Sequence, residues 1–126
     1  MTDVKASFPL DAVTVVDQTA IDEMSWEPLR GLRGVNQKVL WSSGRMIAGL
    51  VRVEPGGEEP GHVHHDAEHH VYVLEGSARI ASQQVSAGGF VFVPAGVSHA
   101  TTDVGPEGCT FFYTYLMHQG RAEAAP

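Results

Sequence analysis

The punctuation of this chain by glycine and proline constrains its fold more than any other feature. Glu54-Pro55-Gly56-Gly57, Pro60-Gly61, Glu75-Gly76-Ser77, Ala87-Gly88-Gly89, Pro94-Ala95-Gly96 and Val104-Gly105-Pro106 follow one another through its second half. Glycine permits positive φ and proline presets a turn, so each cluster is expected to reverse the chain. Between the clusters, apolar residues alternate with a period of two, which predicts strands rather than helices. Candidate strands lie at 12–16, 37–41, 46–54, 62–64, 69–74, 78–81, 84–85, 89–93, 98–102 and 110–117. A short helical turn is expected only within 19–30, limited by Pro28. Short strands joined by tight turns predict an all-β antiparallel sandwich or barrel.

The chain's 126 residues suffice for one domain and exclude a TIM barrel, which needs about 250. Hydrophobic residues at 43% and charged residues at 18% exclude a disordered chain. Fifteen acidic against eight basic side chains give a formal charge of −7, which argues against nucleic acid and anionic membrane as partners. Cys109 is the single cysteine, so no internal disulfide or multi-thiolate metal site is available. Pro9 and Asp11 interrupt the stretch a signal peptide would need to be apolar. The longest apolar run, near 90–97, contains Pro94 and Gly96 and is too short to span a bilayer. A cytoplasmic location is the expectation, with frayed ends.

Five of the seven histidines fall between positions 62 and 70: His62, His64, His65, His69 and His70. Imidazole is the commonest neutral metal ligand, and residues i and i+2 of a strand share a face about 6.6 Å apart. On that argument His62 and His64 converge on one ion, and a turn at Asp66-Ala67 brings His69 back on the neighbouring strand. His69 and His70 point to opposite faces. Val71 and Val73 share the phase of His69, Tyr72 and Leu74 that of His70, and both sets are apolar, as for a strand covered on both sides. A one-residue slip would present Glu68 in place of His69. Glu58 and Glu59 read as a solvated loop. Trp41, Met46, Phe90, Phe92, Phe111, Tyr113 and Tyr115 read as mostly core, with any inward-facing part of the set lining a pocket. Arg45, Arg52 and Arg79 read as candidate carboxylate partners or solvated edge residues, and His65, His70 and His118 as peripheral.

Gly56, His62-Val63-His64, position 69 and Gly76, followed by Gly88, Pro94, Gly96, His99 and Asp103, reproduce the spacing of two motifs. In these motifs the chain resembles the cupin superfamily. The family's first-motif glutamate falls on His69, and its terminal asparagine on Asp103. The resemblance implies a single-domain jelly-roll β-barrel over 36–118, holding one divalent transition metal by His62, His64, His69 and His99. Residues 1–35 would be an N-terminal extension with an extra strand at a homodimer interface, and 119–126 a frayed tail. Pro60-Gly61-His62-Val63-His64-His65 and Tyr72-Val73-Leu74-Glu75-Gly76 are similar to stretches of small dioxygenase-like cupins and of the cupin half of metal-binding anti-sigma factors.

Four neutral imidazoles leave the charge of the metal uncompensated, which favours anionic substrates or bound hydroxide. The expected function is a non-haem metal-dependent oxygenase, dioxygenase-like, acting on a small organic molecule. Iron is the expected metal, with zinc, nickel, manganese or copper as alternatives. The rival readings are a zinc-type Lewis-acid cyclase, isomerase or lyase, and a non-catalytic metal- or ligand-binding sensor. A sensor is disfavoured because the chain is too short to carry an output domain. Gly96-Val97-Ser98-His99-Ala100 lacks the last glycine of a nucleophile elbow, and neither a dinucleotide fingerprint nor a Walker loop is present.

Overall fold

The computed structural model describes residues 8–118. Within them a short helix, α1 (Gln18–Glu23), is followed by nine strands: β1 (Glu27–Pro28), β2 (Val35–Ser42), β3 (Met46–Val53), β4 (Glu59–His62), β5 (Ala67–Ile80), β6 (Gln83–Ser86), β7 (Phe90–Val93), β8 (His99–Thr102) and β9 (Cys109–Met117). All pairings are antiparallel. The order β1-β2-β3-β9-β5-β8-β4, with β6 and β7 also on β5, curls the sheet into a jelly-roll half-barrel. The all-β expectation holds. Among the described residues no helix is long and apolar enough to cross a membrane.

Strand β5 joins the two halves of the curl. Its first part pairs with β7 and β9, and its last part with β6 and β8. The reversal expected at Glu75-Gly76-Ser77 does not occur. The chain bends there and continues, through a bulge opposite β9 between Val73 and Glu75. Gly76 has φ +76, and a Cβ on it would lie 1.8 Å from the Gly108 carbonyl oxygen. Only glycine permits both the conformation and the approach, so this punctuation marks a bend rather than a turn.

The inner face of β5 carries Val71 and Val73, which pack with Val35, Val53, Ile80 and Phe111 in the core. Tyr72 and Leu74 are exposed instead, as are Phe90 and Phe92 on β7. The expectation of a strand covered on both sides, with Phe90 and Phe92 in the core, is corrected accordingly: the outer phase of this chain is apolar but faces out.

The helix ends at Glu23, with Met24 as its C-cap, well before Pro28, which instead pairs in β1. Asp17 caps it, accepting from the Ala20 N–H at 2.9 Å. Lys38 ties it to the sheet: its Nζ donates to the Ile21 carbonyl at 2.7 Å and lies 4.7 Å from the Trp26 ring centre. Residues 12–16 pair with no strand among the described residues, and Val13 and Val15 are exposed. Phe8 lies 6.0 Å from the Trp41 ring. The rest of the expected frayed ends, 1–7 and 119–126, falls outside the described residues.

Candidate metal centre and cavity

Three histidines from two motifs meet where β4 and β8 pair. His62 ends β4 and stands opposite His99, the first residue of β8, with ring centres 4.2 Å apart. The strand expected at 62–64 lies earlier, at β4, so His64 reaches the cluster from the loop beyond it. Its carbonyl accepts from the Gly96 N–H at 2.8 Å, so the Pro94-Ala95-Gly96 turn that delivers His99 also anchors His64. Ligand nitrogens of His62, His64 and His99 all lie within 4.8 Å of one another.

His69 sits on the inner face of β5, opposite Tyr115 of β9, and stacks on that ring at 4.3 Å and 24°. Its Nδ1 is 3.2 Å from Nε2 of His99. Glu68, the alternative raised by a register slip, points away, towards His70 and His118 at 3.7 Å each. His70 is on the outer face, its Nδ1 2.8 Å from the Thr114 hydroxyl and its ring against Phe92. His65 is exposed.

The ring orientations suit a cation. His62 Nδ1 donates to the Pro60 carbonyl at 2.9 Å and His99 Nδ1 to the Val97 carbonyl at 3.2 Å. A carbonyl only accepts, so each Nδ1 carries the proton and each Nε2 keeps its lone pair. The Nε2 atoms of His62, His64 and His69 are buried and have no hydrogen-bond partner among the described residues. Burial first, and then the neighbouring imidazoles, hold His64 down at about 4 and His69 at about 2. Burial also lowers His99, against an opposing pull from its bond to the Val97 carbonyl. The three are therefore neutral at physiological pH, the form that binds metal. The converging nitrogens of His62, His64 and His99 fit a divalent transition metal, and His69 stands beside that group rather than in it.

Two cavities flank the cluster. The outer one, about 480 Å³, runs along residues 60–67 under Arg30 and Leu32. The inner one, about 250 Å³, has apolar walls that include Val39, Ile47 and Val51, and is faced by His69, Tyr113, Tyr115 and Glu59. Burial raises the phenols, Tyr113 to about 12 and Tyr115 higher, with Glu59 adding to both, so they keep their protons.

Glu59 corrects the solvated-loop reading. It is 4% exposed, its Oε2 lies 3.0 Å from Arg30 Nη2 and 3.8 Å from His62 Nε2, while Glu58 is exposed. Strict alternation puts positions 59 and 62 on opposite faces. A bulge between them, at Pro60-Gly61, restores the common face. A glutamate separated from a His-x-His by Pro-Gly was the available signal. Arg30 was missed as well. Of the three arginines expected as carboxylate partners or solvated edge residues, Arg45 is exposed, Arg52 is engaged with Glu54 and Thr110, and Arg79 with Asp103 and the Ser82 carbonyl.

A curled antiparallel sheet with histidines gathered from two such motifs defines a cupin. The chain belongs to the ChrR cupin-like domain family, whose model matches residues 15–119. Among curated proteins, none matches. Solved structures similar to this chain include the polyketide cyclase RemF from Streptomyces resistomycificus, with TM-score 0.72 and 25% identity over 83% of this chain and 80% of that one. KdgF from Halomonas sp. has TM-score 0.66 and 18% identity over 77% and 92%. ChrR of Rhodobacter sphaeroides, an anti-sigma factor solved with SigE, has TM-score 0.63 and 22% identity over 76% of this chain and 51% of that one.

Proposed function

We propose that this protein is a metal-dependent enzyme acting on a small oxygenated organic molecule inside the half-barrel. The observation that carries this reading is the set of buried, unpartnered imidazole nitrogens beside a walled cavity. His62, His64 and His99 hold a divalent transition metal, and His69 supplies a fourth nitrogen. His69 lies outside the group of three whose nitrogens converge; its Nδ1 bonds His99 Nε2 at 3.2 Å, and its buried, unpartnered Nε2 is the nitrogen it would offer the ion. The bound metal supplies Lewis acidity and, if it is iron, oxygen activation.

The chain's own residues do the rest. Val39, Ile47 and Val51 keep water from the inner cavity, which strengthens every polar contact within it. Tyr113 and Tyr115, protonated, donate hydrogen bonds to a substrate oxygen. The nitrogen-only donor set and the apolar walls support an oxygenation of the dioxygenase kind. A Lewis-acid cyclisation or isomerisation is the second reading, favoured by Glu59 and the two phenols as polar groups on the same cavity and by the likeness to RemF.

Metal analysis of protein purified without a histidine tag comes first. Oxygen uptake follows, after anaerobic Fe(II) loading, with diketone, phenolic and thiol substrates. Near-stoichiometric iron, with uptake that disappears in His64→Ala, is the expected outcome. Stoichiometric zinc without uptake selects the second reading, and a protein that takes up no metal overturns both.

A homodimer belongs to the same proposal. Tyr72, Phe90 and Phe92 expose 45%, 62% and 49% of their surface on one face of paired strands, and a second copy is the occupant we assign to it.

A further inference from the structure

Arg30 stands in the loop between β1 and β2 and lines both cavities. Its Nη2 donates to Glu59 Oε2 at 3.0 Å, the one hydrogen bond it makes among the described residues. A guanidinium carries five N–H donors in a rigid fork, and on this side chain, 44% exposed, the donors not held by Glu59 are open to solvent and to a ligand at the cavity mouth. Arg30 also has φ +50, next to Gly31 at φ +70.

The charges around the cavity point the same way. Glu59 is the buried carboxylate here, and its charge is matched by Arg30. With a divalent ion on the histidines, a step that rests on the function proposed above, the inner cavity, where Arg30 and Glu59 balance one another, gains positive charge.

We propose that Arg30 is the anion anchor of this site and that the substrate is a small organic carboxylate. Its carboxylate lies on the open side of the guanidinium fork, and its apolar part lies against Ile47, Val51 and Phe111 in the inner cavity. Glu59 is the positioning residue, fixing where the fork stands. A cavity of about 250 Å³ restricts the substrate to a compact molecule. Planar bidentate recognition of a carboxylate is the task for which arginine surpasses lysine.

Calorimetric titration of benzoate and 2-oxobutanoate, each beside its uncharged methyl ester, tests the anchor in zinc-loaded and chelator-stripped protein. At least one acid binds about tenfold or more tightly than its ester. Arg30→Gln abolishes that preference and leaves the ester unchanged. Arg30→Lys retains the charge without the fork and keeps only part of it, and circular dichroism and melting temperature verify that both variants fold. Equal affinity of acid and ester, no binding of either acid, or a preference that survives in Arg30→Gln overturns the anchor. The stripped protein separates the two readings. An Arg30-dependent preference in a protein that takes up no metal leaves the anchor standing while the metal reading fails. A metal-loaded protein without the preference does the reverse.

Discussion

Each of two facing imidazoles is oriented by a carbonyl two residues before it, Pro60 for His62 and Val97 for His99. The backbone thus selects the tautomer before any ion arrives, and removing either ring removes a ligand that is already aimed. His62→Ala and His99→Ala are each expected to lose most of the bound metal, read by elemental analysis. Their melting temperatures fall by several degrees in metal-replete buffer and by less in chelator, because an ion that binds only the folded chain stabilises it. The stripped protein carries a second signature. His64 and His69 are held at about 4 and about 2, below the 6.5 of an unfolded histidine. The unfolded chain therefore binds more protons below 6.5, and their contribution to stability, complete above 6.5, is lost as pH falls towards 4. The slope is about 1.4 kcal/mol per pH unit for each histidine. Urea titrations across that range flatten by one such slope in His69→Gln; an unchanged slope refutes the assignment. At this scale the histidines were legible because their spacing obeys strand geometry and motif. Glu59 was not, since a bulge changes the parity on which face assignment depends.

At the scale of elements, β5 determines where everything inside the half-barrel sits. Gly76 lets one strand serve two halves of the curl, whereas at Gly88, with φ +92, an added Cβ would meet nothing within 4 Å. Gly88→Ala therefore costs about 1–2 kcal/mol of backbone strain. Gly76→Ala adds a collision with the Gly108 carbonyl and costs about 3 kcal/mol or more, both measured by chemical denaturation. Similar losses at the two sites contradict the bend described here. Most strands could be read from alternation and turn residues. The exception at Gly76 has a physical reason: a glycine that permits a turn and a glycine that permits a bend leave the same mark in a sequence, and only the carbonyl of Gly108, thirty-two residues away, decides between them.

For the whole molecule, the exposed face of β5 and β7 sets an expectation about association. Phe92→Glu places a charge beside Tyr72 and Phe90, and it is expected to shift light-scattering mass from two copies to one while leaving metal content unchanged. A wild-type chain that already measures as one copy removes that interface. Both phases of β5 are apolar, so the sequence alone did not indicate which one faces the core; the inward turn of His69, opposite Tyr115, resolves it.

One consequence reaches beyond chemistry. β4 is the last strand of the curl, carries a proline, and is joined to β8 through an interrupted register. In the proposed holoprotein the ion ties this weak margin to its neighbour, acting as a clasp between His62 and His99. Loss of the ion would undo that clasp, so proteolysis near residues 59–62 is expected to quicken when a chelator is added.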